Sequence, residues 1–168
     1  MNYFELFEIP VSLMPSMATI RKKFYTLSRQ YHPDFFSHAS EEEQAQVLET
    51  SAFINKAYKT LNNQEETIKY VLELKGLLEV DEKYQLPSNF LMEVMDINES
   101  LMDAKTEGNN ELIKKATEQV RELQNTIYEA VQSILEHYEE GVTTEKELLQ
   151  VKKYYFEKKY LDRILASS

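Results

Sequence analysis

Cysteine is absent from the 168 residues, which excludes disulfides, thiolate metal ligands and a cysteine nucleophile. Glycine occurs three times and proline four. With 29% charged residues, that scarcity disfavours a fold of many strands and tight turns and favours helices. No apolar run approaches the ~20 residues that span a bilayer, and Met1-Asn2-Tyr3-Phe4-Glu5 lacks the basic segment and long apolar stretch of a secretory leader. A cytoplasmic protein with no membrane partner is therefore expected. Cations are also in short supply: 19 Lys and Arg stand against 29 Asp and Glu, a net charge of −10. Nucleic acid is a poor partner for such a chain, because phosphate binding depends on clustered cations.

The charge is unevenly spread. Residues 1–75 hold 8 Lys and Arg against 10 Asp and Glu, whereas residues 76–168 hold 11 against 19. The 42% apolar content suffices for packed cores, in one domain or two small ones.

One short stretch stands out, Arg29-Gln30-Tyr31-His32-Pro33-Asp34. Pro33 has no amide hydrogen and pushes His32 out of the α region, so a helix arriving from Ile20 must stop near Tyr31. Ile20, Phe24, Leu27 and Tyr31 recur at steps of four, three and four, one face of that helix. Arg21, Lys22, Lys23 and Arg29 lie off that face, and no acid occurs between Val11 and Tyr31. Beyond the turn, Ser40-Glu41-Glu42-Glu43 has the form of a capping box, and Val47, Ser51, Ile54, Ala57, Tyr58 and Leu61 continue a helical stripe. Two antiparallel helices follow, with an imidazole and a carboxylate at their tip.

Other elements follow from caps and stops. Asn2 caps a short helix through Phe7, Ser16 caps the basic helix, and a loop over 32–40 leads to the third. A fourth helix over about 65–75 ends at Gly76. Residues 77–87 read as a short, semi-rigid linker, with Leu77 and Leu78 packing down. Three further helices are expected: about 88–107, stopped by Gly108; one from Asn109 or Asn110 whose stripe runs to Tyr138 and Gly141; and a last one from the Thr144-Glu145-Lys146-Glu147 box to about Ala166. Loops this short make neighbours antiparallel. The expected fold is all-α, with a helix hairpin and flanking helices in 1–76, a linker in 77–87 and a three-helix bundle in 88–168.

The helix from Ser88 carries more apolar surface than one core face needs. At about 100° per residue, Phe90, Val94, Ile97 and Leu101 form a sufficient stripe. Leu91, Met95 and Met102 fall beside it, and Met92 falls among Asp96, Glu99 and Asp103. A leftover apolar strip with an acidic border marks either an interaction surface or a wide core face buried by both other helices. The last helix has a similar excess, with Leu148, Val151 and Tyr155 on one line and Leu149, Phe156 and Tyr160 on another.

The short first helix, the basic helix ending Tyr31-His32-Pro33-Asp34, and a third helix with Ile54-Asn55-Lys56-Ala57-Tyr58 and Leu61 resemble a J domain, a module that stimulates ATP hydrolysis by DnaK-type chaperones. The whole chain is similar to the HscB family, J-type co-chaperones of iron–sulfur cluster assembly in which a J domain precedes an acidic three-helix domain. Tyr3-Phe4-Glu5-Leu6-Phe7, the run from Arg29 to Phe36, and Phe90-Leu91-Met92-Glu93 carry that similarity. It implies that His32, Pro33 and Asp34 dock on a DnaK/HscA-type chaperone, with Arg21, Lys22, Lys23 and Arg29 steering the approach. It also implies that Leu91, Met92, Met95, Asp96, Glu99, Asp103 and Phe156 bind an IscU-type iron–sulfur scaffold. Phe35 departs from the lysine common after the tripeptide, and Met95, Asp96 and Asp103 stand where the family has Leu, Glu and Glu. A Gly/Phe-rich segment and a cysteine-rich zinc domain are missing, which argues against a general substrate-binding J protein.

Two other classes remain to be weighed. His32, His38 and His137 with nearby acids could belong to a metal-dependent phosphohydrolase, but His32 and His38 are not spaced as a single-face helical pair and Pro33 intervenes. No nucleophile–base pair or glycine-rich phosphate loop is present. A plain helical scaffold would explain the stripes but give no reason for the His-Pro-Asp tip. The sequence thus points to a non-enzymatic co-chaperone without cofactor or metal.

Overall fold

The structure, a computed structural model, describes residues 1–167, and all regular structure among them is helical. It divides into two compact units, Met1–Leu74 with Tyr138–Val142, and Lys75–His137 with Thr143–Ser168.

The first unit contains α1 (Tyr3–Leu6), α2 (Met17–Gln30), a 3-10 turn (Pro33–Phe36), α3 (Glu41–Leu61) and α4 (Gln64–Leu74). Short polar side chains fix most of the starts, because the first amides of a helix have no partner inside it. Asn2 accepts from the Glu5 amide at 2.8 Å, Ser16 from Thr19 at 3.3 Å, and Ser40 from Glu43 at 3.2 Å. Phe4, Phe7, Leu13, Ile20, Ile54, Leu61, Ile68 and Leu72 are fully buried. The α2–α3 hairpin is held by a stack of Phe24 on Tyr58, with ring centroids 4.0 Å apart. At the chain start Tyr3 stacks on Tyr70 at 4.3 Å while its amide donates to the Tyr70 hydroxyl at 2.9 Å. Burial raises the Tyr70 pKa, and that hydrogen bond partly offsets the rise.

Tyr138–Val142 groups with this unit. The helical stripe read as far as Tyr138 therefore stops early: α6 closes at Glu136, with His137 as its C-cap. Residues 138–142 are instead tied locally, Val142 N to the Glu139 carbonyl at 3.1 Å and the Tyr138 hydroxyl to Glu140 at 2.5 Å. Gly141, at φ +81°, supplies the left-handed step such a turn needs.

The second unit is a bundle of α5 (Ser88–Glu107), α6 (Asn110–Glu136) and α7 (Glu145–Ala166). Gly108 at φ +65° ends α5 in the left-handed cap geometry, and Thr144 with Glu147 forms a complete capping box for α7. Phe90, Val94, Leu101, Ala116, Val120, Leu161 and Ile164 form its core. Residues 75–87 are held against α7: Leu78 is buried, Tyr84 stacks on Phe156 at 4.5 Å, and Glu82 pairs with Lys152 at 2.6 Å.

Two carboxyls of this unit carry opposite pH dependences. The hydrogen bond from Lys152 holds the Glu82 pKa below the usual carboxylate range. Its stabilisation is therefore present above the unfolded value and lost as pH falls through the folded one. Glu157 is 5% exposed, and desolvation pushes its pKa up against a weaker pull from Lys153. Its stabilisation is present below the unfolded value and lost as pH rises through the raised one. In thermal melts across pH 3–8, Lys152→Met is expected to cost on the order of 1–2 kcal/mol at neutral pH and nothing in strong acid. Glu157→Met is expected to raise the melting temperature at neutral pH, with the gain shrinking as the medium is acidified.

Candidate functional site

Pro33 sets the tip of the hairpin. His32 is extended, at φ −71° and ψ 128°, as the residue before a proline must be, and α2 has already ended at Gln30. The expected loop over 32–40 is partly ordered as the 3-10 turn Pro33–Phe36, with Pro33 in the first turn where its missing amide hydrogen costs nothing. His32 caps that turn: its Nδ1 accepts from the Asp34 amide at 3.2 Å, and its carbonyl accepts from Phe35 N at 3.0 Å.

A plain helix-stop turn would have the Asp34 carboxylate bonding local backbone. It does not. Its partner is the His32 ring at a long 3.7 Å, and the side chain is 88% exposed. The histidine holds the turn while the carboxylate faces solvent. Phe35 is also turned outward, 73% exposed, its ring edge-to-face with the imidazole at a centroid separation of 6.0 Å.

The cations of α2 are not equivalent. Arg21, Lys22 and Arg29 are exposed; Lys23 is half-buried and 3.8 Å from Glu8. Three of the four residues therefore offer unpaired surface charge, and Tyr25 adds an exposed ring to the same helix.

Sequence reasoning missed Gln44, on the first turns of α3. Its Nε2 donates toward the carbonyls of Phe36 at 3.1 Å, Ser37 at 3.1 Å and Ala39 at 3.2 Å. Nothing in the residue pattern distinguishes a glutamine at that helical position from a solvated one, so no sequence signal could have found it.

On α5, Phe90, Val94 and Leu101 are buried and Ile97 is half-buried, as the wheel requires. Met92, Met95 and Met102 are 67%, 62% and 60% exposed, and Leu91 is half-buried beside them. The wide-core alternative thus fails, because neither α6 nor α7 covers this strip. Asp96, Glu99 and Asp103 are exposed along it. Asp96 and Asp103 also line grooves against α6, the first with Glu93 and Glu122, the second with Lys115. Of the two apolar lines on α7, Leu148, Val151 and Tyr155 are buried, while Leu149 is exposed and Phe156 and Tyr160 are half-buried. The ring contacts of Phe156 run to Tyr84 and Tyr155, so its exposed edge is what it can offer a partner.

Among the described residues no group of three or more His, Asp or Glu side chains is gathered as metal ligands would be, and no helix is long and apolar enough to cross a membrane. The three histidines, His32, His38 and His137, are not brought together by any such cluster.

Comparison with known proteins agrees with this layout. Residues 2–70 match the DnaJ domain family and residues 86–167 the HSCB C-terminal oligomerisation domain. The Neisseria gonorrhoeae co-chaperone protein HscB homolog is 32% identical over 128 residues, 76% of this chain and 77% of that relative. The chain belongs to the HscB co-chaperone family. The Colwellia psychrerythraea HscB homolog is 38% identical over 109 residues, and the aligned stretch spans 62% of that relative's length; for the Vibrio cholerae homolog the figures are 34%, 102 residues and 60%. Among solved structures, Vibrio cholerae chaperone HscB superposes with a TM-score of 0.69 at 27% identity, over 99% of this chain and 97% of that one. Human co-chaperone HscB gives 0.77 at 28% identity, over 99% and 80%.

For this HscB-family chain the tip makes a separable prediction. Asp34→Asn is expected to leave the stability within about 0.5 kcal/mol of the parent, since an exposed carboxylate with no close partner is removed. His32→Ala deletes a cap and is expected to speed exchange of the Asp34 amide about fivefold, by the ~1 kcal/mol typical of a cap. Thermal melts and amide exchange check the pair; a destabilised Asp34→Asn would mean that the carboxylate is structural after all.

Proposed function

We propose that this protein docks on a DnaK/HscA-type chaperone through His32, Pro33 and Asp34, stimulates its ATPase, and delivers an IscU-type iron–sulfur scaffold carried on the second unit. The protein itself performs no covalent chemistry in this reading. The observation that carries it is the division of roles in the tip. His32 caps the start of the turn, so the Asp34 carboxylate is left facing solvent on an ordered 3-10 turn, with the imidazole 3.7 Å away as its nearest charged neighbour. Arg21, Lys22 and Arg29 lie on the helix leading to it and supply positive potential toward an acidic partner surface, which raises encounter rates more than it adds affinity. Lys23, shared with Glu8, contributes less.

For the scaffold, support comes from the uncovered methionine strip of α5 and its acidic border. Unbranched thioether side chains adapt to a partner's relief, and charged neighbours fix orientation and exclude wrong partners. Leu91, Met92 and Met95 form the apolar part, Asp96, Glu99 and Asp103 the polar rim, with the edge of Phe156 on α7 as a separate contact. ATPase stimulation then follows from differential binding. A tip that docks more tightly on the hydrolysis-competent chaperone conformation shifts the chaperone toward it, and a client bound at the same time is committed with the same turnover.

Single-turnover ATP hydrolysis by the chaperone tests both halves. The parent protein is expected to stimulate hydrolysis and Asp34→Asn to lose at least about tenfold of that stimulation. Adding the scaffold is expected to give synergy that a Met92→Asp, Met95→Asp double variant removes while stimulation without scaffold stays intact. Stimulation indifferent to the scaffold would assign a different protein client. No stimulation would leave a helical interaction module.

A further inference from the structure

The carbonyls that follow a 3-10 turn have no partner within it, and a short loop of this kind is ordered only if something outside it accepts or donates. Here Phe36, Ser37 and Ala39 all direct carbonyl oxygens at one side chain, the half-buried Gln44. Three acceptors around one terminal group fix which end of the amide is the nitrogen, because the oxygen end would face three like dipoles. The backbone of Gln44 is itself anchored, its amide donating to the Ser40 carbonyl at 2.9 Å within α3. At the other end of the loop, the Phe35 amide bonds back to the His32 carbonyl at 3.0 Å and the Ala39 amide to that of Phe36 at 3.0 Å. The segment from His32 to Ala39 thus has internal bonds of its own and one tether to a long helix.

We infer that Gln44 is the positioning residue of the docking tip: its amide, by holding the carbonyls of Phe36, Ser37 and Ala39, keeps the 3-10 turn in the form that presents Asp34 and Phe35. Gln44 does not contact the partner in this role. It sets the fraction of molecules whose tip is ready to dock. When only that fraction binds, apparent affinity falls in proportion to it, while the rate of hydrolysis once the complex has formed is unchanged. A glutamine fits the task because it supplies two donors on a side chain long enough to reach past Ser40. Methionine has the same reach without donors. Glutamate has the same shape but places negative oxygens against three carbonyls. Lysine restores donors.

This inference rests on the proposed docking function for its consequence, but not for its structural content, so the test has two independent readouts on the full chain. The first is amide hydrogen exchange across residues 34–39 in the protein alone. Gln44→Met is expected to speed exchange there roughly tenfold, as the loss of one to two hydrogen bonds allows. Gln44→Glu is expected to do so more strongly and Gln44→Lys to remain near the parent, all with unchanged exchange in the buried part of α3. The second is the chaperone's single-turnover hydrolysis titrated with each variant. The half-maximal concentration should rise in the order Lys, Met, Glu while the plateau rate stays at the parent value. Unchanged exchange in Gln44→Met overturns the inference. So does faster loop exchange without any rise in half-maximal concentration, which would make the tether merely structural. If the parent protein fails to stimulate at all, the docking proposal falls, and the exchange series alone decides whether Gln44 orders the tip.

Discussion

A proline that cannot extend a helix governs the first unit. Pro33 forces His32 into extended geometry, and α2 ends at Gln30 before reaching it. The chain must then turn, and each remaining part answers a need created by that stop. The imidazole caps the turn Pro33 begins, Ser40 starts the return helix, and Phe24 against Tyr58 fastens the two arms. Because these tasks are met by other groups, the Asp34 carboxylate is left with none. A carboxylate excused from structure, on a backbone that is already ordered, leaves less of the chain to be ordered by any partner that binds there.

The second unit obeys a different constraint, an excess of apolar surface over what three helices can cover. Phe90, Val94 and Leu101 satisfy the core, and the methionines on the next sector of α5 remain in water. The segment 75–87 covers part of α7, stacking Tyr84 on Phe156 and pairing Glu82 with Lys152, but the α5 strip keeps its exposure. Exposed methionines bordered by carboxylates have the make-up of an interaction surface, which is why the proposed scaffold contact is placed there.

Much of this was legible in the residue pattern because the signals were local. Caps at Asn2, Ser16, Ser40 and Thr144, stops at Pro33 and Gly108, and the 3.6-residue stripes each follow from a few neighbouring residues. The wheel of α5 separated core from surplus, but only the packing of the other two helices could say that the surplus stays uncovered. What could not be read depends on contacts across sequence or on small competing energies. The early end of α6 turned on whether Tyr138 continues a stripe or joins the bonds of a tight segment, a choice that periodicity does not record. Gln44 reaches back five to eight residues to three backbone carbonyls, which carry no side-chain signature. The contacts of Lys23 with Glu8 and of Phe156 with Tyr84 likewise involve neighbours that a helix wheel does not contain.

In the proposed function two surfaces on two units serve two different partners. Amide exchange of this protein, measured with the DnaK-type chaperone alone and then with the iron–sulfur scaffold alone, tests it most directly. The chaperone is expected to slow exchange in residues 21–40 and leave 91–103 unchanged, and the scaffold to do the reverse. Protection of the same unit by both partners, or protection of neither stretch, would contradict it.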